Sequence, residues 1–370
     1  MRAPLKIRPA TAADNEALCA LFAETTMDAE LVLSVHREPD FFALYRMQSR
    51  EWECWVAEVE GRIEAMATIL VREGYLHGER RRIGYLGDLR ISPRGEGRHL
   101  LNRVMGPILR AASGRFGCDV YLTAIIASNQ KALRALTVEN RRSAGRPRYT
   151  PLRDFRIRSL HLTWPRLRKR TPYSVRPATA ADLPALERFL DDDARRRPFG
   201  YAFGAGELER RMAEWPGLEA RSFYLAEDAG GLAGCFALWD AAPVKRMVAV
   251  EYRGGMRRVK RGYDLAARIF RFPALPDPGA AFRYLYVTHQ AIPSGDPRVL
   301  RALLDAAYAD LRGSGYQFLS LFAPEGDPLE PAFRGFQTTD LHARLMMVTP
   351  PGVPAPVVGD ERPGFEMALV

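Results

Sequence analysis

The sequence contains one seven-residue stretch twice. RPATAAD occupies residues 8–14 and again residues 176–182, so the two copies begin 168 positions apart. The apolar residues that follow fall in nearly the same register, in NEALCALF after the first copy and in LPALERFL after the second. Self-similarity at so long a period predicts a duplicated domain, because solenoid repeats are only roughly 20–50 residues long.

The two copies also predict the same local structure. Each follows a short strand, and each contains Thr and Asp at the spacing of a capped helix start, Thr11 with Asp14 and Thr179 with Asp182. Such a pair satisfies free amides in the first turn of a helix. Further on, WVAEVEGRIEAMATIL matches YLAEDAGGLAGCFALW, and each predicts an antiparallel hairpin that turns at glycine.

The halves diverge after these hairpins. The first half continues as a strand, a glycine loop, a helix and a strand, at 82–92, 93–99, 100–112 and 119–126. The second half inserts about forty basic and aromatic residues, 241–282, before a strand, a helix and a strand at 283–290, 298–311 and 316–322. The insert either lines an acceptor pocket or forms a surface helix and loop. Residues 350–364 are rich in Pro and Gly and are predicted to be irregular.

Composition limits the class of protein. A hydrophobic fraction of 47% and a charged fraction of 26% are typical of a soluble globular chain. The stretch MRAPLKIRPA has no apolar core of the length expected for a signal peptide, and no run approaches the ~20 apolar residues of a membrane span. The four scattered cysteines fit buried thiols in a reducing compartment, and the six histidines lack metal-ligand spacing. We therefore expect a cytoplasmic protein with no metal site and no membrane partner.

The positive charge is concentrated in one segment. Residues 141–170 hold eleven Lys or Arg and one Asp, which accounts for the whole formal net charge of +10. One interpretation is a surface for nucleic acid or another acidic partner. The other is one or two strands with a solvated face, followed by an interdomain linker. We prefer the second, because no aromatic interleaving or nucleic-acid motif accompanies the charge.

The loop PRGEGRH lies between a strand and an amphipathic helix. Its glycines let backbone amides approach a ligand, and the helix start adds partial positive charge, so the loop can bind a pyrophosphate. Arg94 and Arg98 add formal positive charge. A lone GxG is also found in a plain strand-to-helix turn, so the surrounding elements must decide between these interpretations.

The order of elements, the hairpin and this loop resemble the GNAT superfamily of acyl-CoA-dependent N-acyltransferases. The resemblance covers the first half closely and the second half more weakly. It implies that the loop binds the coenzyme A pyrophosphate and that the bulged end of the preceding strand, here Leu89, Arg90 and Ile91, pairs with the pantetheine arm. It also implies a role for Asn129, because SNQKALRAL is similar to the family's N-x-x-A pattern.

The loop fits the family motif in two frames. Arg94-x-x-Gly97-x-His99 keeps the basic residue, whereas Ser92-x-x-Gly95-x-Gly97 keeps both glycines and the helix periodicity, and we prefer the second frame. Either frame brings the amides of residues 94–99 to the phosphates. The residues implied by the resemblance in this loop are Arg94, Gly95, Glu96, Gly97, Arg98 and His99.

The catalytic groups are less well defined by the sequence. The family's frequent tyrosine acid, seven residues after the Asn, is Leu136 here. Asp88 lies late in the strand beside the expected thioester. It is either a general base or a solvent-facing or arginine-paired strand residue. In the second half, PSGDPRVLRALL replaces the glycine loop, and its two prolines lack amide donors.

These patterns predict an α/β (α+β) protein of two GNAT-like domains, each a mixed, mostly antiparallel sheet flanked by helices. Residues 1–170 form the domain with the coenzyme A loop, 171–350 a degenerate domain, and 351–370 a tail. The resemblance implies N-acetyl transfer from acetyl-CoA to a primary amine of a small molecule or peptide, with no metal and no specific nucleic acid. The alternative is a non-catalytic acyl-CoA-binding or scaffold protein.

Overall fold

The computed structural model describes residues 5–27, 29–92, 100–137, 145–166 and 170–370. In the first half the strands are β1 (Leu5–Pro9), β2 (Leu31–His36), β3 (Glu51–Val59), β4 (Arg62–Leu76), β5 (Glu79–Ile91), β6 (Tyr121–Ile126) and β7 (Arg148–His161). The helices of this half are α1 (Asn15–Glu24), α2 (Ala43–Gln48), α3 (Leu100–Phe116) and α4 (Gln130–Thr137).

The second half repeats this order with additions. Its strands are β8 (Ser174–Pro177), β9 (Gly200–Tyr201), β10 (Phe223–Asp228), β11 (Gly231–Trp239), β12 (Arg246–Tyr252), β13 (Tyr284–Ala291), β14 (Phe318–Pro324) and β15 (Thr338–Thr349). Its helices are α5 (Leu183–Arg195), α6 (Glu207–Glu214), α7 (Gly254–Phe270) and α8 (Pro297–Leu311). The insert of the second half thus contributes β12 and α7.

One continuous sheet runs through both halves. Its strand order is β1-β3-β4-β5-β6-β15-β7-β14-β13-β11-β10-β8, and β9 pairs with β4 as its thirteenth strand. Among the strand pairs of the described residues, β5–β6 and β13–β14 are parallel and the others are antiparallel. Strands β2 and β12 form a separate antiparallel pair that links the halves. The expected mixed, mostly antiparallel sheet flanked by helices is therefore confirmed, but the two expected sheets are joined into one.

The halves exchange their last strands. β15 of the second half lies between β6 and β7, and β7 of the first half lies between β15 and β14. The sheet is consequently pseudo-symmetric about its centre. Counted inward from either edge, each strand of one half occupies the same position as the matching strand of the other half. A boundary near residue 170 separates the halves in sequence but not in space, because the centre of the sheet belongs to both.

The repeated motif has a structural role in both halves. Arg8 donates hydrogen bonds to Asp14 at 2.8 Å and to Glu58 at 3.1 Å, which joins β1, the helix start and β3. Thr11 and Asp14 form the predicted capping box, as do Thr179 and Asp182. The second copy of the ionic cluster consists of Arg176, Asp182 and Glu227. Both halves have therefore kept the same ionic cluster, which holds the start of a helix against a hairpin.

Helices cover both faces of the sheet. In the first half, Leu18 and Phe22 of α1 pack with Met66 of β4, whereas Leu109 of α3 packs with Ile69 on the opposite face. In the second half, α5 and α8 cover opposite faces in the same way. The largest apolar cluster contains residues from both halves, so the core is continuous across the exchanged strands.

The basic segment forms part of the sheet centre. Within it, β7 is one strand, as the preferred interpretation predicts. Its Arg158 is buried and contacts Asp340 at 2.7 Å and Glu330 at 2.8 Å. Its Asp154 accepts a hydrogen bond from Arg344 at 2.5 Å. Part of the excess positive charge of this segment is thus paired with carboxylates of the second half. These ion pairs link the two halves.

The C-terminal segment is irregular, as predicted, up to a short 3-10 turn at Met367–Leu369. It is nevertheless packed onto the body of the protein. The ring of Phe365 lies 5.6 Å from that of Phe155 and 5.2 Å from that of Phe322, and 6.2 Å from that of Tyr85. The segment therefore packs on the face of the sheet that carries Tyr85 of β5, Phe155 of β7 and Phe322 of β14.

Candidate functional site

The site predicted from the sequence is centred on the end of β5. The pairing of β4 with β5 shifts between Met66–Arg90 and Thr68–Gly87, so β5 carries one extra residue there. Asp88 has a φ of 51°, which is the left-handed conformation of a bulged strand. The bulge expected at the end of this strand is thus present in the backbone, directly before Leu89.

The pairing of β5 with β6 ends before this bulge. β5 and β6 pair only through Gly84–Tyr121 and Tyr85–Leu122, although β5 continues to Ile91. A β-carbon at Gly84 would lie 1.9 Å from the Tyr121 ring, so only glycine allows the two strands to meet at the closed end. Beyond Tyr85 the described pairing of the two strands ends, and we call this splayed end of β5 and β6 the cleft.

Asp88 lies in a compact ionic cluster. Its carboxylate accepts a hydrogen bond from the Tyr45 hydroxyl at 2.7 Å, and Nη1 of Arg37 lies 2.8 Å from it. Arg37 is only 1% exposed, and its guanidinium lies 4.6 Å from the centre of the Phe22 ring. This is the arginine-paired arrangement that the sequence analysis gave as one of two alternatives for Asp88.

The pairing affects the acid–base properties of Asp88. Burial opposes ionisation of the carboxyl group, but the positive charges of Arg37 and Arg90 outweigh it, so the pKa of Asp88 is held below its usual range. Burial also raises the pKa of Tyr45 well above its usual value. The cluster is therefore a neutralised carboxylate–arginine pair, and a carboxylate with a depressed pKa is a weak proton acceptor.

The other predicted site residues are placed as follows. Leu89, Arg90 and Ile91 continue β5 after the bulge, and Asn129 follows β6 at the same edge of the sheet. Asn129 Oδ1 accepts a hydrogen bond from the Ala132 amide at 3.0 Å, so this side chain caps α4. The loop residues lie outside the described residues; they are Arg94, Gly95, Glu96, Gly97, Arg98 and His99.

The second half contains a matching bulge. The pairing of β11 with β13 shifts between Cys235–Ala291 and Ala237–Thr288, and His289 has a φ of 52°. The paired register of β13 and β14 ends at Tyr286. Sequence reasoning missed His289, although aligning RIGYLGD with RYLYVTH places it opposite Asp88.

In the second half, two carboxylates of the chain itself lie at the helix start and at the bulge. The Asp296 carboxylate accepts a hydrogen bond from the Arg298 amide at 2.8 Å and so caps α8, where the first half has its glycine loop. Glu366 accepts a hydrogen bond at 3.0 Å from the backbone amide of His289 at the bulge. Two carboxylates thus take the donors that a cofactor would need in this half.

A cavity of about 70 Å³ lies beside the second bulge. Arg211 donates a hydrogen bond to Nε2 of His289 at 2.9 Å. Burial and the Arg211 charge lower the pKa of His289 well below its usual value, so the imidazole is neutral. Burial raises the pKa of Glu366 to about 7. The cavity therefore contains a carboxyl group that can exchange a proton near neutral pH.

Comparison with solved structures identifies the fold. The chain is similar to Saccharomyces cerevisiae N-myristoyltransferase with bound myristoyl-CoA, with a TM-score of 0.60 and 11% identity over 95% of this chain and 86% of that one. It is also similar to a GCN5-related N-acetyltransferase from Anabaena variabilis ATCC 29413, with a TM-score of 0.51 and 12% identity over 93% of this chain and 72% of that one.

The chain has the tandem GNAT fold. The bulges at Asp88 and His289 and the two parallel strand pairs occupy matching places in its two halves. At the level of sequence, neither a protein-family model nor a curated protein matches the chain. The likeness to the solved structures is accordingly one of fold, and the tandem GNAT fold by itself does not specify an acceptor.

Proposed function

We propose that this protein is an N-acetyltransferase that transfers an acetyl group from acetyl-CoA to a primary amine. The observation that carries the proposal is the cleft at the bulged end of β5, where pairing with β6 stops at Tyr85 and Leu122. An extended strand end beside a gap can accept an extended ligand as a further strand. In this proposal Leu89, Arg90 and Ile91 pair with the pantetheine arm.

The remaining cofactor contacts follow from the GNAT resemblance. Backbone amides of residues 94–99 bind the pyrophosphate, with Arg94 and Arg98 adding positive charge, and Asn129 borders the cofactor at the edge of the sheet. The matching place in the second half is occupied by Asp296. We therefore expect one acetyl-CoA site per chain, located in the first half.

The acceptor occupies the cavity beside the second bulge in this proposal. Phe365, next to Glu366, contacts Tyr85 of β5, so the C-terminal segment joins the cavity to the cofactor cleft. The amine nitrogen attacks the thioester carbonyl, a C–N bond forms, the C–S bond breaks, and coenzyme A leaves as the thiolate. The amine proton passes to a base, for which Glu366 has a suitable pKa and Asp88 stays the sequence-based candidate.

A non-catalytic acyl-CoA-binding or scaffold protein is the second candidate. Two observations favour it. Leu136 replaces the family's tyrosine acid, and Asp88 is held in an ion pair with Arg37 that weakens it as a base. Measurement of binding and of turnover separates the two functions, because a scaffold binds acetyl-CoA but releases no thiol.

The binding experiment uses calorimetry on the full chain with acetyl-CoA. Gly97→Asp brings a carboxylate against the pyrophosphate and should weaken binding at least ~10-fold through like-charge repulsion. Gly295→Asp is the matched control, because it places the same charge in the corresponding loop of the second half. Two equivalent sites, or equal effects of the two variants, would contradict a single site in the first half.

The turnover experiment screens a panel of amines with acetyl-CoA and measures the released thiol. We expect at least one amine to give turnover that Glu366→Gln reduces without weakening acetyl-CoA binding. Asp88→Asn tests the other candidate base in the same way. Tight acetyl-CoA binding without thiol release for any amine would favour the scaffold function.

A further inference from the structure

Helix α7 presents an unusual outer surface. It belongs to the insert of the second half, so the shared fold does not require it. Of its 17 residues only Ala267 is fully buried. Leu265 is 61% exposed and Ile269 is 63% exposed. Large aliphatic side chains exposed together on one helix are typical of a surface that contacts something outside the chain.

The exposed apolar residues of the protein concentrate here. Eight large hydrophobic side chains among the described residues are exposed, and five of them lie on α7 or against it. These five are Trp164, Val259, Leu265, Ile269 and Phe270. The Trp164 ring packs edge-to-face on Phe270, with 4.6 Å between the ring centres. We call these five residues and the exposed arginines of α7 and its C-terminal cap the α7 surface.

The α7 surface carries unpaired positive charge. Four of its arginine side chains form no ion pair or hydrogen bond with any other described residue; they are those of Arg258, Arg261, Arg268 and Arg271. Other basic residues of α7 are neutralised, since Arg257 lies 3.4 Å from Glu251 and Lys260 lies 2.7 Å from Asp264. The excess charge is therefore confined to the side of the helix that faces water.

The exposed apolar side chains of the helix share one arc with, and are bordered by, arginines. At about 100° per residue, the apolar side chains from Leu265 round to Phe270 span roughly 140° of the circumference. Arg261 and Arg268 lie along one edge of that arc, and Arg258 lies within it between Leu265 and Ile269. A helix whose exposed apolar arc is bordered and crossed by arginines is suited to lie in the interface of a bilayer, with aliphatic groups among the acyl chains and guanidinium groups at phosphates.

We propose that the α7 surface binds the protein to an anionic phospholipid bilayer. Charge complementarity selects this occupant, because the surface has four unpaired arginines. No helix within the described part of the chain is long and apolar enough to span a membrane. The proposed contact is made by the outer surface of α7, and it departs from the expectation from sequence that no membrane is involved.

The test is co-sedimentation of the full chain with vesicles. One set contains phosphatidylcholine alone and the other contains three parts phosphatidylcholine to one part phosphatidylglycerol. We expect binding to the anionic set and release by salt, because the attraction is screened over a Debye length. The Trp164 fluorescence should shift to the blue on binding, and Trp164→Phe should remove that shift.

Two double variants test the two arcs separately. Leu265→Glu with Ile269→Glu should lower the vesicle partition coefficient at least ~10-fold by removing the inserted groups. Arg261→Glu with Arg268→Glu should lower it by a similar factor through repulsion from anionic lipid. Leu341→Glu with Val357→Glu and the single variant Arg50→Glu are the matched controls, since they change exposed residues elsewhere and should leave binding unchanged.

Several outcomes would overturn the proposal. These are the absence of binding to anionic vesicles, equal binding to both vesicle sets, or undiminished binding by either α7 double variant. A concentration-dependent dimer abolished by Leu265→Glu with Ile269→Glu, without vesicle binding, would assign the surface to a second copy of the chain. Acetyl-CoA binding in solution is measured in parallel, so a failure here is separable from a failure of the proposed acyl transfer.

Discussion

At the residue scale, the Asp88–Arg37 pair makes a stability prediction. Asp88→Asn leaves the buried Arg37 charge without its carboxylate, so the free energy of unfolding should fall by about 3 kcal/mol or more. Asp154→Asn breaks the half-exposed pair with Arg344 and should cost at most about 1 kcal/mol. Denaturant unfolding of both variants measures the difference. Equal losses of unfolding free energy in the two variants would contradict a larger contribution from the buried Asp88–Arg37 pair.

Glu366 makes the protein sensitive to pH. Its pKa is about 7 in the folded chain, above the usual value for glutamate, because burial disfavours the ionised form. Its contribution to stability is therefore complete below the usual pKa and is lost as the pH rises through about 7. Between about pH 5 and about pH 8 the Tm of the native chain should fall relative to that of Glu366→Gln.

The control for this pH dependence is Glu361→Gln, an exposed carboxylate in the same segment. The Glu361→Gln variant should show the same dependence of Tm on pH as the native chain. A Glu366→Gln chain with the same pH dependence as the native chain would show that Glu366 ionises freely in the fold.

At the scale of single elements, Gly84 allows the close approach of β5 to β6 at the paired end of the two strands. Gly84→Ala forces a β-carbon onto the Tyr121 ring and should destabilise the protein by about 1–3 kcal/mol. Gly114→Ala is the control, because nothing lies within 4 Å of its β-carbon position in α3 and alanine favours a helix. Thermal unfolding compares the two, and a stable Gly84→Ala protein would contradict the tight strand approach.

Local elements were predictable because local residues determine them. Thr11 and Asp14 lie three residues apart and satisfy each other's backbone amides, so the helix start could be predicted from spacing alone. The hairpin turn at Glu60 and Gly61 has φ angles of 52° and 76°, which the glycine in the sequence anticipates. The bulge at Asp88 came from the family resemblance, since no local pattern distinguishes it from regular strand.

The long-range contacts around the two bulges, at Asp88 and at His289, could not be predicted from the sequence. Arg37 reaches Asp88 across 51 positions, and Glu366 reaches His289 across 77. Such pairs depend on how distant segments pack, which neither periodicity nor spacing encodes. The coenzyme A loop at 94–99 lies outside the described residues and stays a prediction.

At the scale of the whole molecule, the exchanged strands make each half depend on the other. A fragment of residues 1–170 lacks β15, so β6 loses a partner and β7 has no neighbour on either side. We expect this fragment to show no cooperative unfolding transition by calorimetry. Co-expression with residues 171–370 should restore one transition. A fragment that unfolds cooperatively alone would show that the exchange is dispensable.

Because of the strand exchange, neighbouring strands of the sheet leave the ribosome at widely separated times. β6 ends at Ile126, whereas its partner β15 begins at Thr338. At ribosomal speeds the interval between them is roughly 10–40 s, during which the edge of β6 is open to other unpaired strands. The nascent first half therefore keeps an unpaired strand edge until β15 is synthesised, although its own residues were translated long before.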